Sequence, residues 1–134
     1  MDEKTVKTIP LFAQLPRRGR RHVASWADEV QVPAGRTLTK EGEHAREFFV
    51  IICGSAELQQ NGQPLAGLGA GAFFGDAGML GSARTHAETS MTRLLVIGRR
   101  EFAAIMWRFP AVAERIRRQA ATRAARPRRR AGAR

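Results

Sequence analysis

The chain has 134 residues, 43% of them hydrophobic, which suits one globular domain with a core of its own. The formal net charge is +11, yet residues 23–114 hold eight Lys or Arg against ten Asp or Glu, so the excess positive charge lies near the two ends. A single cysteine excludes an internal disulfide framework, and no apolar run approaches the roughly 18 residues of a membrane-spanning helix. With an N-terminus that lacks a secretory signal pattern, these features indicate a cytoplasmic protein.

Residues 1–28 are predicted to form an N-terminal helical segment. Val23 and Trp26 recur at i, i+3 and share one face of a helix. Four arginines are expected on the exposed side of this segment: Arg17, Arg18, Arg20 and Arg21.

Residues 29–98 are predicted to form a β-roll, because apolar residues recur with period two and turn residues follow every eight to twelve positions. The predicted strands are 29–32, 36–40, 47–53, 55–60, 63–68 and 93–97. Asn61-Gly62 is the strongest hairpin signal and joins two of these strands. Cys53 ends a nearly continuous apolar strand and is therefore predicted to be buried.

The helical period returns after residue 98. Phe102, Ile105 and Phe109 share one face of a helix that starts near residue 99 and ends before Pro110. Pro110 suits the first turn of a second helix, predicted to run to about residue 125. Residues 126–134 are predicted to be a basic disordered tail. The fold class is therefore mainly β with flanking helices: a double-stranded β-helix of the jelly-roll or cupin-like type, with N-terminal helices and two C-terminal helices, in one domain overall.

Residues 73–86 combine a glycine-flanked acid, a short apolar turn and an arginine followed by a hydroxyl. An ionised carboxylate such as Asp76 only accepts hydrogen bonds, so it could hold a sugar hydroxyl. The planar fork of Arg84 matches phosphate oxygens, and Gly75 lets backbone N–H groups approach an anion. This chemistry suits a small ligand with sugar hydroxyls and one phosphate, although an ordinary surface loop is the alternative interpretation.

The order of the motifs resembles the cyclic nucleotide-binding domain family, in the form of the catabolite activator protein-like sensor domains. The motifs that carry the resemblance are Val-Pro-Ala-Gly at 32–35, Lys-Glu-Gly at 40–42, Phe-Val-Ile-Ile-Cys-Gly at 49–54, the segment 68–76 and Leu-Leu-Val-Ile at 94–97. The resemblance extends over roughly 11–125. It implies a phosphate-binding cassette at about 71–86 and a cyclic nucleotide as ligand, cAMP rather than cGMP.

Carried over from the family, Gly75 lets backbone N–H groups approach the ligand, Asp76 takes the place of a glutamate at the ribose 2′-hydroxyl, and Arg84 pairs with the cyclic phosphate. Thr85 adds a hydrogen bond. The full set of implied ligand-binding residues is Gly75, Asp76, Ala77, Arg84, Thr85 and His86. The resemblance also implies that the last helix closes over the base, for which Gln119 or Thr122 could serve.

Two departures from the family pattern leave the ligand open. Asp76 is one methylene shorter than glutamate, which shortens its reach by roughly an ångström. Arg84 also lies about two residues too near the strand at 94–97, and a strict count back from that strand would put Ser82 in its place. The chain is then either a stand-alone module that binds cAMP or cGMP and signals to an unknown protein partner by repositioning its C-terminal helices, or a degenerate fold without ligand that acts as a protein-interaction domain.

Other classes of function find less support in the sequence. No nucleophile-base arrangement or isolated acid pair indicates an enzyme, and His22, His44 and His86 are too far apart to predict a metal site. The tail could contact nucleic acid without sequence preference, but about a dozen residues cannot form a helix-turn-helix, so specific DNA binding is not expected. An apolar stripe at Val112 and Ile116 could pair two copies as a homodimer or pack on the roll of its own chain.

Overall fold

The computed structural model describes residues 1–40, 46–75, 84–87 and 91–125, with the backbone alone for 84–87 and 123–125. These residues form helices and strands in the order helix–helix, eight strands, helix–helix. The helices are α1 (Glu3–Lys7), α2 (Arg17–Trp26), α3 (Arg99–Arg108) and α4 (Pro110–Ala125). The strands are β1 (Ala27–Val32), β2 (Thr37–Thr39), β3 (Glu47–Cys53), β4 (Ala56–Gln60), β5 (Gln63–Leu68), β6 (Phe73–Phe74), β7 (Arg84–Ala87) and β8 (Thr92–Gly98).

The strands form two four-stranded antiparallel sheets. The first sheet has the order β1-β8-β3-β6 and the second the order β2-β7-β4-β5. Each sheet draws strands from both halves of the roll, as in a double-stranded β-helix. The predicted fold class, mainly β with flanking helices, is confirmed.

Strand β3 is apolar on both faces because the first sheet lies between two cores. Phe48 and Val50 are buried in a core formed with the helices, whereas Phe49 and Ile51 are buried in a second core between the two sheets. A strand buried on both faces loses the polar alternation of a half-exposed strand. This explains the nearly continuous apolar run in the sequence.

The hairpin between β4 and β5 follows the sequence signal closely. Asn61 and Gly62 have φ angles of 55° and 75°, and both therefore lie in the left-handed region. A two-residue turn with two positive φ angles is of type I′, whose twist matches that of the flanking strands. The predicted hairpin is confirmed.

Helices α3 and α4 begin and end where the sequence predicts. Phe102 and Ile105 are buried, and the Phe102 ring lies 4.6 Å from that of Phe48 between centroids. Val112 and Ile116 on α4 are each only 2% exposed and belong to the same core. The apolar stripe of α4 therefore packs on the chain's own roll, and these two side chains are not available to a second copy.

Two expectations about exposure are wrong. Cys53 is exposed, because β3 shifts register against β8 between Ile51 and Cys53 and the strand's buried stretch ends there. Arg20 does not face solvent with the other arginines of α2. Its Nε donates to Glu3 Oε2 at 2.6 Å, and only 14% of its side chain is exposed.

The bond between Arg20 and Glu3 ties α1 to α2. The hydrogen bond from Arg20 is the main cause that lowers the pKa of the Glu3 carboxyl below its ordinary value. Desolvation opposes it in part, and the positive charges of Arg20, Arg17 and Lys7 lower the pKa further. Among the described residues no helix is both long and apolar enough to cross a membrane.

Candidate functional site

Gly75 occupies a position that no other residue fits. Its φ is +82°, in the left-handed region that strongly favours glycine. A Cβ at this position would collide with the carbonyl oxygen of Glu47 and lie 3.3 Å from Phe49 Cδ1. Backbone that leaves β6 therefore passes directly over the start of β3. The predicted role of Gly75, to bring backbone N–H groups close to a ligand, stays a prediction.

The turn that precedes β6 is held firmly against β3. Ile51 N donates to Ala72 O at 2.9 Å, and Gly71 N donates to Ile51 O at 2.8 Å. Gly71 also has a positive φ of +88°, and a Cβ there would touch Pro10 at 3.5 Å. The backbone leading into the candidate site is thus hydrogen-bonded to a buried strand and lies close to Pro10 of the N-terminal segment.

The second half of the candidate site begins strand β7 in the other sheet. In the backbone register, Arg84 pairs with Gln59 and Thr85 with Leu58 of β4, and His86 pairs with Thr37 of β2. β7 therefore lies between β2 and β4 in the middle of the second sheet. Gly75 and Arg84 are thus the two ends of a connection that leads from the first sheet to the second.

The remaining predicted ligand-binding residues, Asp76 and Ala77, lie outside the described residues, as does Ser82, the alternative to Arg84. His44 and the tail at 126–134 lie outside them as well. The roles assigned to these residues stay predictions.

A groove runs beneath α4, beside the turn that leads to Gly75. It consists of two adjoining cavities of about 280 and 260 Å³, which share Gly71, Phe73 and Gln119 in their walls. The larger one is otherwise lined by residues 66–69 and Ala72, which are glycine or alanine except for Leu68. We call these two cavities the α4 groove.

The two candidates for a lid on α4 have different positions. Gln119 is half-buried and lines both cavities of the α4 groove. Thr122 is exposed, and its hydroxyl donates to Arg118 O at 2.9 Å within the helix. The structure therefore brings Gln119, but not Thr122, to the groove.

The comparison with known protein families assigns the fold. The sequence pattern described as the cyclic nucleotide-binding domain matches residues 29–108, which include the whole roll from Glu29 onward and helix α3. The chain belongs to the cyclic nucleotide-binding domain family. This is a family of regulatory domains, and the catabolite activator protein-like resemblance of the sequence is confirmed.

Relatives of this cyclic nucleotide-binding domain include both kinase regulators and bacterial regulators. A cAMP-dependent protein kinase regulatory subunit from Mycosarcoma maydis is 26% identical over 125 residues, which cover 84% of this chain and 24% of that protein. The catabolite activator protein of Thermus thermophilus is 28% identical, with a TM-score of 0.71 over 85% of this chain and 57% of that chain. The regulatory domain of Toxoplasma gondii PKA, crystallised with cAMP, is 18% identical, with a TM-score of 0.77 over 90% of this chain and 48% of that chain.

The chain spans about a quarter of the length of the curated relatives it matches. The likeness to the Toxoplasma domain, at its low sequence identity, supports the fold alone. What the relatives share with this chain is the binding domain, and their further domains have no counterpart within the match.

Sequence reasoning missed one contact at the site of this binding domain. Arg115 on α4 donates from Nη1 to Pro10 O at 2.9 Å and lines the α4 groove beside Leu11. The two residues are 105 positions apart, so no local pattern could pair them.

The histidines do not form a cluster where the structure describes them. The His22 ring lies 5.6 Å from that of Trp26 on α2, whereas His86 lies in the second sheet. Across residues 1–40, 46–75 and 91–122, no group of three or more His, Cys, Asp or Glu side chains could hold a metal ion.

Proposed function

We propose that this domain binds a cyclic nucleotide, with cAMP preferred to cGMP, and acts as a non-catalytic regulatory module. The observation that carries the proposal is the position of Gly75, where a positive φ and the Glu47 carbonyl together exclude every side chain. A glycine within the cassette suits a bound anion, because backbone N–H groups beside a glycine can approach the anion closely. The names of the kinase relatives favour cAMP as the ligand.

The ligand contacts follow from the chemistry of the cassette residues. Arg84 would hold the cyclic phosphate through two parallel N–H···O bonds, and Thr85 would add a hydroxyl bond to the same group. Asp76 would accept from the ribose 2′-hydroxyl, directly or through a water that makes up for its shorter side chain. Ala77 and His86 flank these contacts in the cassette, which we assign to about 71–86 of a single domain.

The signal would pass to the C-terminal helices through the α4 groove. Gln119 lines this groove together with Gly71 and Phe73, which lie in the first part of the cassette. A purine ring in the groove would contact Gln119 and favour one position of α4 over another. The ligand can shift that equilibrium only by the difference between its affinities for the two positions.

Isothermal titration calorimetry of the purified chain with cAMP and with cGMP tests this function. Saturable heat with cAMP, stronger than with cGMP, is expected. Arg84→Ala should lower the affinity about 100-fold, because a bidentate charge-assisted pair contributes about 3 kcal/mol. Asp76→Glu should raise the affinity, since the longer carboxylate reaches the ribose hydroxyl directly.

A matched control separates the phosphate contact from general charge. Arg36→Ala removes the same charge from an exposed arginine of the roll and should leave the affinity within about twofold. Equal losses in the two variants would show that Arg84 does not hold the phosphate. Absence of heat at millimolar nucleotide would exclude the sensor function.

A ligand-free interaction domain is the second candidate, and one observation favours it. Trp107 on α3 is 88% exposed, and exposed tryptophans are frequent anchors of protein interfaces. This function predicts no heat with either nucleotide and a concentration-dependent sedimentation coefficient that Trp107→Ala abolishes. A monomer by sedimentation with unchanged behaviour of the variant would count against self-association through this side chain.

We place the protein in the cytoplasm, where a reducing environment keeps the exposed thiol of Cys53 free.

A further inference from the structure

Helix α2 presents an exposed cationic face that the fold itself does not use. Arg17, Arg18, Arg21, His22 and Ser25 line a shallow concavity of about 460 Å³ on this helix. The three arginines are exposed, and none of them forms an ion pair with an acid among residues 1–40, 46–75 and 91–122. We call this surface the α2 arginine face.

Arg20 differs from the arginines of this face because it has partners within the fold. Arg20, on the side of the same helix that faces α1, is held by Glu3 Oε2 at 2.6 Å and by Leu15 O at 2.6 Å. It therefore has a structural role in joining α1 to α2. Within the described part of the chain no comparable partner holds the arginines of the α2 arginine face, so their guanidinium groups are available to a ligand.

The position of these arginines destabilises helix α2 electrostatically when no ligand is bound. They lie in the first half of α2, which has no acidic residue in its first turn and no side-chain cap at Pro16. Cations near a helix N-terminus oppose the helix dipole, and three neighbouring like charges repel one another. A bound polyanion would relieve both effects.

The composition of the face argues against a protein partner and against a membrane surface. Protein interfaces have an apolar centre, and interfacial membrane helices insert apolar side chains into the lipid. The α2 arginine face has no such apolar centre, because Val23 and Ala24 are buried in the core and Trp26, beside His22, is partly buried against it. Binding at this face therefore depends mainly on charge and guanidinium hydrogen bonds.

The spacing fits a repeating phosphate backbone. Arg17 and Arg21 are one helical turn apart, which is about 6 Å along the axis. A nucleic-acid strand presents one phosphate per roughly 3.4 Å of its axis, so successive arginines can meet nearby phosphates. Arginine forks pair with phosphate oxygens more specifically than lysines do.

We propose that the α2 arginine face binds the phosphate backbone of nucleic acid without reading its sequence. This activity is separate from nucleotide sensing in the roll and does not require it. It assigns to a folded helix of the domain a contact with nucleic acid that the sequence suggested only for the tail.

Fluorescence anisotropy of labelled oligonucleotides tests this surface with the full chain. A strand and a duplex of about 20 units are titrated between roughly 50 and 300 mM NaCl, and the slope of log K against log [salt] is measured. The triple variant Arg17→Gln/Arg18→Gln/Arg21→Gln should reduce the slope by about 2, since each phosphate contact contributes about 0.7 to 0.9. The corresponding triple lysine variant keeps the charges and should retain most of the slope.

The matched control removes the same charge from the roll. Arg36→Gln/Lys40→Gln/Arg46→Gln changes three exposed cations and should reduce the slope by less than about 0.5. Equal slopes for the two glutamine variants would overturn the proposal, since the effect would then be one of net charge. A glutamine variant of α2 that binds like the wild type would also overturn it, as would binding to phosphatidylserine vesicles in the absence of any binding to oligonucleotides.

Discussion

Replacement of Gly75 by alanine should lower the free energy of unfolding more than the same replacement at a turn where a Cβ meets no other atom. The Cβ meets two obstacles, a positive φ of +82° and the carbonyl oxygen of Glu47. The left-handed conformation costs a non-glycine residue about 1 to 2 kcal/mol, and forcing a methyl group into a filled space costs about 1 to 3 kcal/mol more. Alanine also restricts the unfolded chain, which offsets less than about 1 kcal/mol of this cost. We therefore expect the free energy of unfolding to fall by about 3 kcal/mol.

Gly35 is the matched control for this experiment. It has nearly the same φ of +85°, but a Cβ there would meet no atom within 4 Å. Gly35→Ala should therefore cost about 1 kcal/mol, from the backbone conformation alone. Urea unfolding followed by circular dichroism measures both free energies of unfolding, and thermal melts should differ by about 8 °C between the two variants. Losses that agree within about 0.5 kcal/mol would refute the steric argument at Gly75.

Three further results are expected. Phe102→Ala should lower the free energy of unfolding by about 3 to 5 kcal/mol, because it leaves a cavity where a buried ring was. Trp107→Ala, on the exposed side of the same helix, should change it by less than about 0.5 kcal/mol. Similar losses for the two variants in urea titrations would contradict the assigned burial. Because the pKa of Glu3 is lowered in the folded state, its stabilisation is complete above the unfolded pKa and is lost as the pH falls through the lower, folded value. Glu3→Gln should therefore flatten the melting temperature between pH 7 and pH 3 in scanning calorimetry, and an unchanged pH profile would speak against the ion pair. Gln119→Ala should weaken cAMP binding in calorimetry about tenfold, by loss of a contact in the α4 groove, while Thr122→Ala has no effect; the reverse order would place the lid elsewhere on α4.

The elements that the sequence predicted best are those with a strong apolar period. Strand β3 and helices α3 and α4 have the predicted bounds, because each is anchored by side chains that the core requires. The hairpin strand β5 also has the predicted bounds, because the Asn61-Gly62 turn fixes where it begins. Strand β1 begins at Ala27, two residues before the predicted strand, since its pairing with Ile97 of β8 extends it beyond the visible alternation. Pairing between distant strands leaves no local trace.

Exposure was harder to predict than secondary structure. Cys53 has an apolar sequence neighbourhood, but a shift in strand register takes it out of the core. Arg20 belongs to a run of arginines, but a carboxylate 17 residues away selects it for burial. Both errors come from single tertiary contacts that outweigh a local pattern.

At the candidate site, too, features with a local sequence signal were predictable and features built from distant parts of the chain were not. The sequence predicted that Gly75 gives a ligand access to backbone N–H groups, and this stays a prediction. The structure gives a different reason for the glycine, the carbonyl of Glu47, which lies 28 positions away in the chain. The α4 groove was not predictable, because it joins Pro10, Gly71 and Arg115 from three separate parts of the sequence. The contacts of Arg84 with a ligand remain a prediction.

A crystal structure of the chain grown with cAMP tests the proposed function most directly. We expect the cyclic phosphate beside the backbone N–H groups that follow Gly75, with both terminal nitrogens of Arg84 within about 3 Å of its oxygens and the purine against Gln119. A structure in which Arg84 points into solvent, or in which the nucleotide is bound away from the cassette or not at all, would contradict the proposal and leave the family fold as the established property of this chain.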